Sequence, residues 1–261
     1  MRYSIFTKES EKAMRIVDKI YEIADNFGCI HDEENPDLIF FVGGDGTFLR
    51  AVQDNLDRLD EVSFVGINAG TLGFSYDFSE DEIYELFEQL DAYNLKEKEI
   101  PLIKGKLFQD YDEFIEFYAV NEIRLTNIDV SLECDISINK ESLERFVGNG
   151  VVVSTAFGSS GLNKSLGGAL ISHDLNALEI TPLAPVNNKI YTTIYNPIII
   201  PSEDAYILFS GDFSKTKVSF DHITLDEKFN HLLVTSSPLK VRVLVKKDNN
   251  YIKTIRKNML K

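Results

Sequence analysis

Hydrophobic and polar positions follow two different rhythms along this chain, and the change of rhythm near Pro101 predicts two domains. Residues 3–7 read as an opening strand, and Ser10 is placed to cap the helix that follows. Within it Ala13, Ile16, Val17, Ile20, Tyr21, Ala24 and Phe27 recur at helical spacing, and Gly28 ends the run. After the polar break at 32–37, the unbroken segment Leu38-Ile39-Phe40-Phe41-Val42 has the character of a strand buried on both faces, as in a parallel sheet. A helix over 48–59 and a strand over 62–67 come next. Ser79-Glu80-Asp81-Glu82 then forms a capping box for a helix that buries Ile83, Leu86, Phe87 and Leu90.

Strand and helix thus alternate over the first hundred residues, which predicts a doubly wound, Rossmann-like α/β domain. Beyond Pro101 the pattern is β-rich, with apolar stretches at 114–125, 130–138, 151–155, 191–200, 205–210 and 217–223 and one helical stretch at 162–170. A mainly antiparallel β domain over 101–237 is expected, with the alternating strand 239–245 returning the chain to the first domain, so that 238–261 joins 1–100. Neither an internal repeat nor a low-complexity linker interrupts the chain.

The 261 residues carry 42 Asp and Glu against 27 Lys and Arg, a net charge of −15, which argues against a nucleic-acid partner. The short basic stretch 246–261 reads as a solvated terminal segment. Cys29 and Cys134 lie far apart and fit no metal or redox spacing, and no His-x-x-x-His pair occurs, so structural zinc is not expected. The polar start and the lack of a membrane-length apolar run lead to the expectation of a cytoplasmic protein without a membrane partner.

The chemistry gathers first at Gly43-Gly44-Asp45-Gly46-Thr47, between a strand and a helix. Glycines let the backbone turn sharply against an anion, and the free N–H groups of the helix start face it. No Walker-type Lys follows, so this is a different phosphate loop. The Asp45 carboxylate would repel a bare phosphate, which suits it to taking a proton from an attacking hydroxyl or helping to hold Mg²⁺. The plainer alternative is a tight turn in which Asp45 only caps Phe48 or its neighbours. Farther along, Asn121 offers an amide suited to an adenine edge and Glu122 an acceptor for a ribose diol. Gly158-Ser159-Ser160-Gly161 is a second anion-friendly turn, and Asp221-His222 could meet phosphate or Mg²⁺ or be satisfied locally as a strand-end pair.

Gly-Gly-Asp-Gly-Thr occurs in NAD kinases, in lipid kinases of the diacylglycerol-kinase type and, more loosely, in phosphofructokinases. The continuation Thr47-Phe48-Leu49-Arg50 resembles NAD kinases, as do the ordered blocks Asn68-Ala69-Gly70-Thr71-Leu72-Gly73-Phe74, Asn121-Glu122, Gly148-Asn149-Gly150 with 154–161, and Pro185-Val186-Asn187-Asn188. The resemblance spans nearly the whole chain. It implies transfer of the γ-phosphoryl group of ATP to the 2'-hydroxyl of the adenosine ribose of NAD, with a divalent cation such as Mg²⁺ and Asp45 as general base. Gly44, Gly46, Thr47, Leu49 and Phe74 would line the nucleotide site, and Asn121 and Glu122 would hold adenosine. Asn149, Phe157, Ser160, Gly161, Leu162, Ala184 and Asn188 would complete the dinucleotide pocket, with Asp221 and His222 near phosphate. A homo-oligomer, dimer or tetramer, is also implied.

The chain departs from the family pattern in one block. Gly-Asp-Gly becomes Gly148-Asn149-Gly150, a proline and small polar residue become Ala156-Phe157, and Ser-Thr-Ala-Tyr becomes Ser159-Ser160-Gly161-Leu162. Loss of a charge-assisted bond at 149 costs roughly 1.5 to 3 kcal/mol, and loss of aromatic stacking at 162 about 0.5 to 1.5 kcal/mol. Weakened dinucleotide binding with an intact base is expected. The alternatives are a non-catalytic NAD- or NADP-binding paralogue and a lipid-type kinase sharing the loop.

Overall fold

A computed structural model of the chain describes residues 1–70, 73–109, 113–127 and 129–260. Thr71 and Leu72 of the 68–74 block lie outside the described residues. The chain divides into one unit of Met1–Ile100 with Leu239–Lys261 and another of Pro101–Pro238.

In the first unit the order is β1 (Arg2–Thr7), α1 (Glu11–Asn26), β2 (Ile30–His31), β3 (Leu38–Gly43), α2 (Asp45–Gln53), β4 (Ser63–Asn68), β5 (Phe78–Ser79) and α3 (Ile83–Asp91). β3 pairs in parallel with β1 on one side and β4 on the other, with Phe40 opposite Ile5 and Val65. Successive side chains of β3 point to opposite faces. Leu38, Phe40 and Val42 join the core formed with α1 and α3, whereas Phe41 meets Phe48 of α2, with ring centroids 5.0 Å apart. Helices therefore cover both faces, which is why the run is apolar throughout.

Ser10 caps α1 as expected, accepting from the Ala13 N–H at 3.2 Å. Ile23, outside the expected stripe, is buried, while Tyr21 is exposed. The Ser79–Glu82 capping box is present, but it opens a short 3₁₀ turn, Glu80–Glu82, before α3 begins. α2 begins at Asp45 rather than at 48 and ends at Gln53, with a separate 3₁₀ turn at Leu56–Arg58.

The second unit contains β7 (Phe114–Ala119), β8 (Glu122–Thr126), β9 (Leu132–Ile138), β10 (Glu141–Gly148), β11 (Gly150–Thr155), α4 (Leu162–Ser165), β12 (Ala177–Leu183), β13 (Ile198–Pro201), β14 (Tyr206–Ser210), β15 (Lys217–Phe220) and β16 (Ile223–Leu225). Two long strands pass between the units in sequence, β6 (Lys96–Phe108) before this series and β17 (His231–Val245) after it; α5 (Tyr251–Met259) closes the chain. In the first unit the end of β17 runs parallel to β4, with Arg242 opposite Ser63. Strand pairing in the second unit is antiparallel, one sheet running β13-β12-β11-β8-β15-β16. Alternate residues of these strands and of β9, β14 and β17 share one apolar core. Within it Phe117 and Phe220 stack with centroids 4.6 Å apart.

Several expected boundaries change. The stretch 114–125 is two strands, broken because the backbone at 120–121 turns aside to bond with Asp221. The helix expected over 162–170 is a single turn, since the chain reverses at Gly167 with φ +92°. Of 191–200 only the last three residues are strand, the start of β13, and 217–223 splits at Asp221, which has φ +45°. The tail expected to be solvated from 246 onward is exposed or half-buried at every described residue but Asn258, and it forms α5, whose N-cap Asn250 accepts from the Ile252 N–H at 2.9 Å.

Candidate active site

The apolar run of β3 ends at Gly43, and α2 starts two residues later. Gly44 takes the N-cap position without a side-chain cap, its carbonyl accepting from the N–H groups of Thr47 and Phe48. Asp45 therefore occupies the first turn of a helix, where a negative charge is favoured by the helix dipole. It does not cap its own helix. Its Oδ1 accepts from the backbone N–H of Phe74 (2.9 Å), the N–H of Ser75 (2.9 Å) and the Ser75 hydroxyl (2.6 Å). Oδ2 has one longer contact, 3.1 Å from the Phe74 N–H. One oxygen is thus clamped, and the other retains lone-pair capacity for a proton.

The approach of this loop requires Gly73. A Cβ there would fall 2.8 Å from Asp45 Oδ1 and 2.6 Å from Tyr76 Cε1. Tyr76 itself is 7% exposed. Burial, together with the Asp45 charge, pushes its hydroxyl up to about 12, so the neutral phenol flanks the carboxylate. Of the other expected residues here, Gly46 is exposed, Gly44 and Phe74 are half-buried, and the side chains of Thr47 and Leu49 are buried.

In the second unit, residues far apart in sequence meet around Asn121 and Glu122. The Asp221 carboxylate accepts from the N–H groups of Val120 (2.9 Å) and Asn121 (2.8 Å). Its own N–H donates to the Glu122 carbonyl, and its carbonyl accepts from Arg124. Asp221 is thus spent on holding the strand ends, whereas His222 beside it is exposed. Thr155 donates its hydroxyl to the Val120 carbonyl (2.7 Å) and accepts from the Gly158 N–H (3.0 Å). Gly158 lies so close that a Cβ would stand 2.1 Å from the Asn121 carbonyl oxygen, and the Cβ position of Gly161 is 3.8 Å from the Asn121 amide nitrogen.

Phe157 is buried, with its ring centroid 4.8 Å from that of His173. Ser160 is half-buried, and Gly161 and Leu162 are exposed. Behind them Asn163 donates to Glu179 (2.6 Å) and accepts from Thr181 (2.6 Å), while Glu179 also accepts from the Ala169 N–H.

Glu122 is 4% exposed. Its Oε1 lies 3.8 Å from Arg124 Nε, and its Oε2 is buried with no hydrogen-bond partner in the protein. Burial raises this carboxyl to about 7; Arg124 opposes the shift and the Asp221 charge adds to it. A buried acceptor left open in this way fits a ligand hydroxyl.

Asn149, Ala184 and Asn188 are not brought to this cluster. Ser154 of β11 pairs with Glu122, but Asn149 precedes Gly150, which pairs with Leu183 at the other end of the strand. Six strand residues separate the two groups, roughly 20 Å. At that far end the Asn149 amide donates to the Asn127 carbonyl (3.1 Å). Ala184 is exposed at φ +45°, and Asn188 closes a turn by accepting from the N–H groups of Ile190 and Tyr191.

Sequence reasoning missed Ser75, which follows directly on the 68–74 block, and the Asn163–Glu179–Thr181 network. Only contacts made across long stretches of chain reveal either. Among the described residues no group of three or more His, Cys, Asp or Glu could hold a metal ion, and no helix is long and apolar enough to cross a membrane.

The chain is 33% identical over 230 residues to the NAD kinase of Staphylococcus aureus strain JH9, a match covering 87% of this chain and 86% of that protein. The chain belongs to the NAD kinase family. The profile of the ATP-NAD kinase N-terminal domain matches residues 4–94, and that of the C-terminal domain matches residues 121–231. Its activity is ATP-dependent phosphorylation of NAD, and neither the non-catalytic nor the lipid-kinase alternative is favoured. The fold is shared with solved structures of this family. Yeast NADH kinase complexed with NADH superposes with TM-score 0.84 at 22% identity, over 98% of this chain and 86% of that one. An NAD kinase from Archaeoglobus fulgidus in complex with ATP gives 0.80 at 21% identity, over 98% and 99%.

The Glu122 environment yields a prediction for stability. The carboxyl ordinarily titrates at 4.5, and in the folded protein at about 7, so the folded state holds this proton more tightly. The associated stability is complete below 4.5 and is lost as pH rises through 7. The loss is on the order of 3 kcal/mol. In thermal melts of the ligand-free protein, Glu122→Gln is expected to melt above wild type at about pH 8 and to match it near pH 4.5. The same difference at both values would show that Glu122 is not held as described.

Proposed function

We propose that Asp45 is the general base of the NAD kinase reaction, and that the observation carrying this role is the one-sided clamp on its carboxylate. Oδ1 is engaged by three donors from Phe74 and Ser75, while Oδ2 has one long contact. Oδ2 takes the proton of the adenosine 2'-hydroxyl as that oxygen bonds to the γ-phosphorus of ATP. The bond from the γ-phosphorus to the bridging oxygen breaks, and ADP leaves with its electron pair. Gly44 and Gly46 present backbone N–H groups at the start of α2 to phosphate, with Thr47, Leu49 and Phe74 beside them. A divalent cation such as Mg²⁺, bound with ATP, would supply neutralisation of the phosphate charge.

In the second unit, Asn121 and Glu122 hold the adenosine, with Gly161, Ser160, Phe157 and Leu162 around them and His222 toward phosphate. The open Oε2 of Glu122 receives a ribose hydroxyl, and Asp221 positions both residues through their backbone. Two free thiols, Cys29 and the buried Cys134, accord with a cytoplasmic setting.

With Mg²⁺ and ATP, the purified protein is expected to convert NAD to NADP. Asp45→Asn should lower kcat by about 10² to 10⁴ while the protein stays folded. An unchanged kcat would remove Asp45 from the role of base.

We also propose that the enzyme is a homo-oligomer in which Asn149, Ala184 and Asn188 serve the dinucleotide site of a neighbouring copy. Two observations support this reading. These residues lie at the far end of β11 from Asn121. The same unit also exposes Ile190 (81%), Leu175, Tyr195 and Ile199, and β13, which carries Ile199, is an edge strand. Light scattering should give a mass at least twice 29.6 kDa, and a monomer at assay concentration would overturn the assignment.

A further inference from the structure

We infer that the C-terminal helix α5 is a positioning element for the phosphoryl-transfer step, acting through Asn258 on the loop that clamps Asp45; the inference rests on Asp45 being the base. Of the helix's apolar side chains, Ile252 is 68% exposed, whereas Tyr251, Ile255 and Met259 are half-buried. Its one buried residue is polar: Asn258, 9% exposed. Burying an amide is costly unless it is hydrogen-bonded.

The Asn258 Oδ1 accepts from the Gly73 N–H at 3.4 Å. Gly73 directly precedes Phe74 and Ser75, whose N–H groups hold Asp45 Oδ1, and has no room for a Cβ between Asp45 and Tyr76. The amide of Gly73 is thus held by the helix while the next two amides hold the carboxylate. A second contact lies beside it, with Lys257 Nζ 5.8 Å from the centroid of the Tyr76 ring.

The approach to the helix is anchored to the same stretch of chain. The Lys246 N–H donates to Asp77 (2.7 Å), and its ammonium pairs with Glu82 and lies 5.1 Å from the Phe78 ring centroid. Burial pulls the Glu82 carboxyl upward, but hydrogen bonds from Lys246 and Ser79 outweigh it and leave it below the usual range. Residues 246–258 thus touch the segment 73–82 at Gly73, Tyr76, Asp77, Phe78 and Glu82. The positions of Phe74 and Ser75 are set from within that segment.

Steady-state kinetics of the full-length Asn258→Leu protein, similar in volume but lacking the acceptor, provide the test. The expected result is a fall in kcat of between about tenfold and a hundredfold, with KM for both NAD and ATP within about twofold of wild type. Asn258→Ala, which does not require a leucine to fit the site, should show the same division between kcat and KM should the leucine variant fold poorly. Circular dichroism and melting curves establish that the protein assayed is folded. A wild-type kcat in folded Asn258→Ala, or a raised KM with kcat intact, would overturn the inference. A joint loss in both parameters would also overturn it, since that is the mark of general distortion. Asp45→Asn run alongside separates the two claims. If it retains activity, the base assignment fails; if it is inactive while Asn258→Ala is unaffected, only the role of α5 fails.

Discussion

The clamp on the Asp45 carboxylate is the constraint on which the first unit's chemistry depends. A helix start attracts anions, so a carboxylate placed there competes with any phosphate brought to the same turn. Three donors from Phe74 and Ser75 draw one oxygen of Asp45 toward the following loop. This leaves the exposed Gly46 and the half-buried Gly44 for an anion. The parallel sheet makes the arrangement possible: β3 and β4 run in register from Leu38–Ser63 to Gly43–Asn68, so the loops after both strands emerge at the same edge. Ligand sites in open α/β sheets form at this carboxyl edge.

The second unit solves a different problem, that of holding an amide and a carboxylate ready at a strand end. Asp221 fastens the backbone of Asn121, Thr155 fastens Val120, and the lack of a side chain at Gly158 lets the next turn close over both. Glu122 bears the cost of this packing, since its buried oxygen has no protein partner and its proton is held up to about 7. Such an unsatisfied group is tolerated where a ligand completes it. The departures from the family pattern fall into two places. Asn149 sits at the far end of β11, whereas Phe157 packs on His173 close to Asn121.

Much of the first unit was legible because its elements are local. The apolar run Leu38–Val42, the Ser10 cap and the Ser79–Glu82 box each signal themselves within a few residues, and each is present. Asp45 and the Asn121–Glu122 pair were legible as candidates for chemistry, although a capping carboxylate and a polar strand end are ordinary structural roles for the same residues. What makes them work was not. Ser75 and Asn258 are an ordinary serine and an asparagine in a basic tail until contacts 30 and 185 residues away give them meaning. β10 was hidden because most of its residues are not buried, which blurs the alternation. The stop of α4 at Ser165 is hidden because apolar spacing over 162–170 gives no warning of the reversal at Gly167.

The central claim, that Ser75 holds Asp45 in its working position, is tested most directly by steady-state kinetics on Ser75→Ala. Removing the 2.6 Å hydroxyl contact leaves the backbone donors in place. It is expected to lower kcat by roughly tenfold to a hundredfold, with little change in KM for NAD or ATP. A kcat equal to wild type in the folded variant would contradict the account.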